Sequence, residues 1–127
     1  MVLLDTSVLI ECFTDDKPFA PVLLDLLRQG RRFAVLSLVL YEWLRGPRTA
    51  LDIENQETMF PSAECLPFGP EEAALSAQLY RSVRRARSRE IDIAIAAYAI
   101  RNQAELWTLN EADFADIPGL RLFDSKV

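Results

Sequence analysis

The segment Val2-Leu3-Leu4-Asp5-Thr6-Ser7-Val8-Leu9-Ile10 decides the fold. Its first three residues form a short apolar run that is typical of a buried strand. The polar triplet that follows is typical of a helix start, and the apolar residues after it predict that the helix continues. The chain is therefore predicted to open with a strand that leads directly into a helix.

Strands and helices are predicted to alternate along the rest of the chain. The predicted strands are 33–36, 63–66, 105–109 and 120–123. The second predicted helix starts at Pro18 and Pro21 and ends at Gly30, and the third starts at Ser37. Further helices are predicted at 48–60, from Pro70 to Ala86 and at 89–102, the last capped by Ser88. A single helical turn is predicted at 111–114. Strands separated by helices imply right-handed crossovers, and hence a mostly parallel sheet that is covered on both faces. The pattern therefore predicts an α/β fold.

The composition fits one globular domain and restricts its chemistry. The chain has 127 residues, of which 50% are apolar and 26% charged, so we expect a single domain over residues 1–127 and no disorder. The absence of histidine excludes Ser-His-Asp and Cys-His nucleophiles and imidazole metal sites. Cys12 and Cys65 are too few for a zinc cluster or a disulfide framework, and we expect buried thiols. Chemistry must therefore use carboxylates, hydroxyls or arginine.

Charge and hydropathy predict a cytoplasmic protein. The net charge of −5 means that an RNA or DNA partner needs a local basic patch. The N terminus lacks a basic region before its short apolar run, so it does not have the pattern of a signal peptide. No apolar run approaches the roughly 18 to 20 residues that span a bilayer, and no membrane partner is expected.

Two acidic residues lie at positions where a parallel sheet places a binding site. Asp5 follows the first strand, at the carboxyl end where ligands bind in this architecture. An N-cap for the helix that begins at Thr6 explains Asp5 equally well. Asp113 follows a strand end, although turn chemistry alone explains both Asp113 and Asn110.

Two further acids lie on predicted helices. Glu42 sits in a strongly apolar helix, where a solvent-exposed face is the ordinary explanation. Asp92 lies in the first turn of an alanine-rich helix that is apolar on all sides, where a carboxylate is costly without a partner. Its alternative explanation is a favourable interaction with the helix dipole.

Together the four acids predict a metal site. Carboxylates that gather at one end of a sheet repel one another unless a cation neutralises them. Oxygen ligands without histidine or cysteine favour Mg²⁺ or Mn²⁺ over zinc. Sites of this type most often act on phosphates.

Four segments of the sequence resemble the PIN domain family, and in particular its VapC-like toxin ribonucleases. The segments are Leu4-Asp5-Thr6-Ser7-Val8-Leu9-Ile10, Ser37 to Gly46 with Glu42-Trp43-Leu44-Arg45, Asp92-Ile93-Ala94-Ile95-Ala96-Ala97-Tyr98-Ala99 and Thr108-Leu109-Asn110-Glu111-Ala112-Asp113-Phe114. They occur in the family's order, and the resemblance extends from residue 2 to about residue 123. It implies a three-layer α/β/α sandwich with a mostly parallel central sheet.

The resemblance also implies a function. Asp5, Glu42, Asp92 and Asp113 match the family's acidic positions, which hold one or two Mg²⁺ or Mn²⁺ ions for hydrolysis of RNA phosphodiester bonds. Supporting hydrogen bonds would come from a second set of polar residues, Thr6, Ser7, Thr108 and Asn110. A cognate antitoxin and a homodimer are the partners that the resemblance implies.

An arginine-rich segment is the candidate for contacts to the RNA backbone. Residues 81–89 contain five arginines and no acid. We predict RNA contacts from Arg81, Arg84 and Arg85, with the first and last of these at helical i,i+4 spacing on an exposed face. Pairing with acids of a neighbour or an antitoxin explains the segment equally well. The family often has a glycine before its third acid, and the segment 84–90 lacks one, which predicts an altered loop.

Other assignments stay open on the sequence. A catalytically silent PIN-like module that binds RNA or protein is the main alternative, although the presence of all four acids weighs against it. A receiver or haloacid-dehalogenase-like phosphatase would need a second acid beside Asp5 and a suitably placed lysine, and the chain offers only Lys17 and Lys126. Glu90 is either a fifth acid near the metal or, the more ordinary interpretation, a solvated residue. Trp43 and Phe60 suit a partner surface or the core equally well.

Overall fold

The computed structural model describes residues 1–14 and 19–126. Its strands are β1 (Val2–Leu4), β2 (Phe33–Ala34), β3 (Glu105–Trp107) and β4 (Arg121–Leu122). Its α-helices are α1 (Thr6–Phe13), α2 (Ala20–Arg28), α3 (Ser37–Arg45), α4 (Ala50–Met59), α5 (Pro70–Ser82) and α6 (Glu90–Arg101). Short 3₁₀ helices span Ser62–Glu64, Ala86–Ser88 and Glu111–Asp113.

The four described strands form one parallel sheet in the order β2-β1-β3-β4. β1 and β3 lie side by side at its centre, with Leu4 paired to Trp107. The pairing continues one step further, since the backbone N–H of Asp5 donates to the carbonyl of Trp107 at 2.9 Å. The predicted α/β class with a mostly parallel sheet is confirmed, and the carboxyl ends of β1 and β3 meet at the same edge.

The core lies between this sheet and the helices. Helix α6 buries Ile93 and Ile95 through Ala99, as its all-round apolarity predicts. Trp43 on α3 is fully buried, and its indole N–H donates to the Gln56 side chain at 3.2 Å. Phe60 is partly buried and packs against Phe13. The core interpretation of both aromatic residues is therefore the correct one.

The predicted helix from Pro70 to Ala86 is too long. Helix α5 ends at Ser82, and the backbone of Val83 is extended. Arg85 then adopts a left-handed conformation, with φ of 53°. Val83 and Ala86 still pack against the core, so they satisfy the apolar pattern from a loop. The i,i+4 placement of Arg81 and Arg85 on one helix face is therefore wrong.

The segment predicted as a strand at 63–66 forms only one isolated bridge, between Leu36 and Leu66. A 3₁₀ helix occupies Ser62–Glu64 instead. Pro61 and Pro67 bound this segment, and because proline has no N–H to donate, they limit how far a strand can extend. The strand predicted at 33–36 is also shorter than expected, since β2 ends at Ala34.

Two of the predicted N-caps, Ser37 and Ser88, do not cap their helices. Ser37 is the first residue of α3, and its hydroxyl accepts the backbone N–H of Phe68 at 3.2 Å rather than capping the helix. Ser88 lies in a 3₁₀ helix, and Arg89 occupies the N-cap of α6. Gly30 ends α2 as predicted, with φ of 86°, whereas Pro18 lies outside the described residues.

Two further expectations concern thiols and membranes. Cys12 is buried, and burial raises the pKa of its thiol to about 12, while Cys65 is half-buried. In residues 1–14 and 19–126, every helix is too short or too polar to cross a bilayer.

Candidate active site

Asp5 is held by two hydroxyl groups at the carboxyl end of β1. Only 4% of the residue is exposed. Its Oδ2 accepts hydrogen bonds from Ser7 Oγ at 2.9 Å and from Thr108 Oγ1 at 2.7 Å. The backbone has the extended N-cap conformation before α1, but the carboxylate makes no capping hydrogen bond. The N-cap interpretation therefore describes the backbone of Asp5 and leaves its side chain free for another role.

The two hydroxyls are oriented by the backbone that follows β3. Ser7 Oγ accepts the N–H of Leu109 at 3.0 Å, and Thr108 Oγ1 accepts the N–H of Asn110 at 3.0 Å. A hydroxyl has a single proton, and an ionised carboxylate can only accept hydrogen bonds. In their contacts with Asp5, both hydroxyls are therefore the donors. Asn110 contributes through its main chain, and its side chain is exposed.

Glu42 is hydrogen-bonded to the segment that carries Asp5. Thr6, the next residue in the chain after Asp5, donates its hydroxyl to Glu42 Oε1 at 2.7 Å. The other oxygen, Oε2, lies 3.5 Å from the guanidinium of Arg45, one turn further along α3. The Glu42 side chain is only 18% exposed. Helix α3 thus turns this glutamate toward the site and away from bulk solvent.

Asp92 responds electrostatically to the other three acids. It is half-buried in the first turn of α6. Burial is the largest cause that raises the pKa of its carboxyl, and the negative charges of Asp5, Glu42 and Asp113 add to it, while the Arg89 guanidinium opposes the increase. The net effect is a pKa of about 6. The four acids therefore belong to one electrostatic neighbourhood.

Asp113 lies at the exposed rim of the site. It ends the 3₁₀ helix Glu111–Asp113, and its main-chain carbonyl accepts a hydrogen bond from Arg89 at 2.7 Å. Beside it is an open cleft of about 880 Å³. The cleft is lined by Arg84, Arg85, Arg89, Ala112, Asp113 and Asp116.

The structure separates the predicted RNA-binding arginines. Arg84 and Arg85 line the cleft beside Asp113, but Arg81 lines a different groove, together with Tyr80 and Glu90. Glu90 is exposed there, as expected for the solvated alternative.

Sequence reasoning missed Arg89 and Asp116. They form an ion pair in which Arg89 donates to both oxygens of Asp116, at 2.5 and 3.0 Å. Asp116 follows Asp113 by three residues, a spacing that pattern analysis attributes to a turn. Arg89 does not stand out from the arginine-rich segment that contains it.

The donor set fits a hard divalent cation by its chemistry. All four candidate ligands are carboxylates, which suit Mg²⁺ or Mn²⁺. Both hydroxyls on Asp5 use Oδ2, and the hydrogen bonds within the described part of the chain leave Oδ1 unused. Within that same part, no three acidic or cysteine side chains lie close enough together to ligate one ion. Binding of one ion by three of these carboxylates would therefore require them to move closer together.

The fold and the site together define a class of protein. It is an α/β protein with the buried Asp5 carboxylate at the carboxyl edge of a parallel sheet, where this architecture binds ligands. The PIN domain family model matches residues 2–120, and the chain belongs to that family. The family resemblance carried by the four sequence motifs is confirmed.

Known proteins similar to this chain align over nearly its whole length. It is 29% identical over 124 residues to Ribonuclease VapC19 of Mycobacterium tuberculosis, covering 95% of this chain and 98% of that protein. The structure is similar to DNA-bound VapBC from Salmonella typhimurium, with a TM-score of 0.77, 21% identity and coverage of 98% and 97% of the two chains. VapBC2 from Rickettsia felis, bound to a promoter DNA fragment, gives a TM-score of 0.73, 20% identity and coverage of 97% and 98%. The structural similarity supports the same fold.

Replacing Asp92 by asparagine should stabilise the metal-free protein in a pH-dependent way. An aspartate in the unfolded chain ionises near pH 4, and Asp92 in the folded protein ionises at about pH 6. The folded state therefore binds more protons between these values, and its stability from this group falls as the pH rises through that window. In EDTA, the free energy of unfolding of Asp92→Asn relative to wild type should rise from pH 4 to pH 7, as measured by urea denaturation.

Glu90→Gln is the matched control, because it removes an exposed carboxylate from the same first turn of α6. A stability difference between Asp92→Asn and wild type that stays constant from pH 4 to pH 7 would contradict the electrostatic coupling of the site.

Proposed function

We propose that this protein is a metal-dependent endoribonuclease, the toxin of a type II toxin–antitoxin pair, and that it hydrolyses RNA phosphodiester bonds. The observation that carries the proposal is the buried Asp5 carboxylate. Two hydroxyls donate hydrogen bonds to this carboxylate. Its negative charge, like those of Glu42 and Asp113, raises the pKa of Asp92. Membership of the PIN domain family and the similarity to a protein named as a ribonuclease support the same function.

In this proposal Asp5, Glu42, Asp92 and Asp113 hold Mg²⁺ or Mn²⁺ in the site. When bound, the ion supplies a positive charge that activates water for attack and stabilises negative charge developing on the phosphate. The chain's own hydroxyls orient the ligands: Ser7 and Thr108 hold Asp5, and Thr6 holds Glu42. The backbone N–H of Asn110 fixes the direction of the Thr108 hydroxyl.

The RNA backbone contacts are assigned to Arg84 and Arg85. Both arginines are exposed and line the cleft beside Asp113, so they offer local positive charge on a protein whose net charge is −5. Guanidinium groups bind phosphates with two parallel hydrogen bonds. Arg85 holds its side chain there although its backbone is left-handed, which costs a non-glycine residue roughly 1–2 kcal/mol. Strained backbone conformations are concentrated at functional sites, so the strain at Arg85 supports a functional role for its side chain.

The partners and location follow from the same assignment. The similar structures from Salmonella typhimurium and Rickettsia felis are named as VapBC complexes with DNA. By extension, we propose a cognate antitoxin for this chain. From the family resemblance we also propose a homodimer of the toxin, and from its charge and hydropathy a cytoplasmic location. Residues 1–127 would then form a single nuclease domain.

Cleavage of RNA should require both a divalent ion and Asp5. Purified wild-type protein is expected to cleave total RNA in Mg²⁺ or Mn²⁺ and not in EDTA. Asp5→Asn should reduce the rate by at least roughly 100-fold, since losing only a residue that supports a metal ligand costs roughly 10–100-fold. Gel analysis of the products measures both effects.

Asp25→Asn is the control, because it makes the same chemical change on the exposed face of α2. Equal cleavage by wild type and Asp5→Asn would contradict the assignment. Tight RNA binding without cleavage by the wild type would favour the catalytically silent module instead.

Replacing Arg84 and Arg85 by alanine should weaken RNA binding and flatten its salt dependence. Each phosphate that the protein no longer neutralises lowers the log–log salt slope by about 0.7 for single-stranded RNA. Fluorescence anisotropy with a short RNA over a salt series measures the slope, in the Asp5→Asn background to prevent cleavage.

The control is the double variant Arg28→Ala/Arg32→Ala, which removes the same charge from two exposed arginines outside the cleft. If the cleft variant keeps the wild-type slope and instead weakens association with the antitoxin, the arginines serve a protein partner and the RNA assignment is wrong.

A further inference from the structure

One guanidinium group connects three segments around the site. Arg89 Nη1 donates to the carbonyl of Arg84 at 2.8 Å and to Asp116 Oδ2 at 3.0 Å. Its Nη2 donates to the carbonyl of Asp113 at 2.7 Å and to Asp116 Oδ1 at 2.5 Å. The backbone of the same residue is the N-cap of α6 and accepts the N–H of Ile93 at 2.9 Å. The arginine loop, the first turn of α6 and the segment of Asp113 thus meet at one side chain.

These contacts leave Arg89 with no exposed donor for an RNA phosphate. Arginine has five N–H groups, of which four are on the terminal nitrogens. All four have acceptors within the protein. The remaining N–H, on Nε, has no hydrogen-bond partner in the described part of the chain, but it is buried and cannot reach an RNA phosphate at the surface. The side chain is only 15% exposed, although it borders the cleft. Arg89 therefore differs from Arg84 and Arg85, whose side chains face solvent.

The segment that carries Asp113 needs such an anchor. Asp113 is exposed and ends a 3₁₀ helix of three residues, an element with weak hydrogen bonds of its own. Phe114 and Ile117 are buried and fix the chain on the far side of Asp113. The main-chain carbonyl of Asp113 itself is held by Arg89, three residues before Asp92 in the chain.

We propose that the Arg89–Asp116 ion pair is a positioning device that sets Asp113 relative to Asp92, so that both carboxylates reach one divalent ion. The inference rests on the proposed nuclease function. Asp116 holds the guanidinium plane through two hydrogen bonds, and the guanidinium in turn holds the Asp113 carbonyl. Arg89 acts through Asp113 and is not itself a catalytic residue.

Asp116→Asn tests the device with little change in shape. Loss of the paired charge should reduce kcat on a short RNA by about 10- to 100-fold, because small displacements of reacting groups have effects of that size. KM should stay within about twofold, since Arg89 gives no hydrogen bond to RNA. Amide hydrogen exchange in residues 110–117 should become faster.

Two further variants sharpen the result. Arg89→Lys keeps the charge but cannot make the planar, two-fold contact, and it should resemble Asp116→Asn. The kcat of the double variant, Arg89→Lys with Asp116→Asn, should be no lower than that of the slower single variant, since both changes remove the same ion pair. Glu111→Gln, which neutralises an exposed carboxylate in the same 3₁₀ helix, should retain wild-type kcat and exchange rates.

Several outcomes would overturn the proposal. If Asp116→Asn lowers KM at unchanged kcat, the released arginine binds RNA directly. If exchange becomes faster but kcat does not change, the ion pair stabilises the loop without positioning Asp113. Unchanged exchange would show that the pair does not hold this segment.

Failure of the proposed function gives a different result. Wild-type protein that cleaves no RNA contradicts the nuclease proposal alone. Positioning is then measured by the rise in melting temperature on adding Mn²⁺, which Asp116→Asn must reduce and Glu111→Gln must retain. An equal rise in both variants would overturn the positioning role.

Discussion

The parallel pairing of β1 with β3 is the constraint on which the site depends. Leu4 lies opposite Trp107. The residues that follow them, Asp5 and Thr108, therefore leave the sheet at the same level. The hydrogen bond of 2.7 Å between their side chains follows directly from that register. A shift by one residue would turn Thr108 to the other face of the sheet and leave the Asp5 carboxylate without this donor. Fold and site are thus set by one pair of strands.

The protein meets the cost of gathering negative charge in two different ways. A buried carboxylate is unfavourable unless it has hydrogen-bond partners. Asp5 has two hydroxyl donors, whose protons are directed by the backbone N–H groups of Leu109 and Asn110. Asp92 is instead less readily ionised, because burial and its acidic neighbours raise its pKa to about 6. A divalent cation would relieve the same repulsion at all of these groups, which is why clustered acids point to metal chemistry.

Local patterns are sufficient to predict the strand–helix opening and the family resemblance. The end of α5 is not predictable, because Leu75, Leu79 and Val83 follow helical spacing although Val83 lies beyond the last turn. A loop that buries the same side chains produces the same pattern. The consequence is functional, since the turn after Ser82 separates Arg81 from the cleft that Arg84 and Arg85 line. The role of Arg89 depends on acceptors 24 and 27 residues away, which no local pattern contains.

The position of a bound ion is the most direct test of the carboxylate site. Crystals soaked in Mn²⁺ and measured at a wavelength with strong anomalous scattering from manganese would show that position. We expect a peak within about 2.5 Å of a carboxylate oxygen of Asp5 and of at least one of Glu42, Asp92 and Asp113, the range for hard divalent cations bound to oxygen. A strong peak held only by other residues, or no peak near Asp5 at saturating Mn²⁺, would contradict the metal assignment.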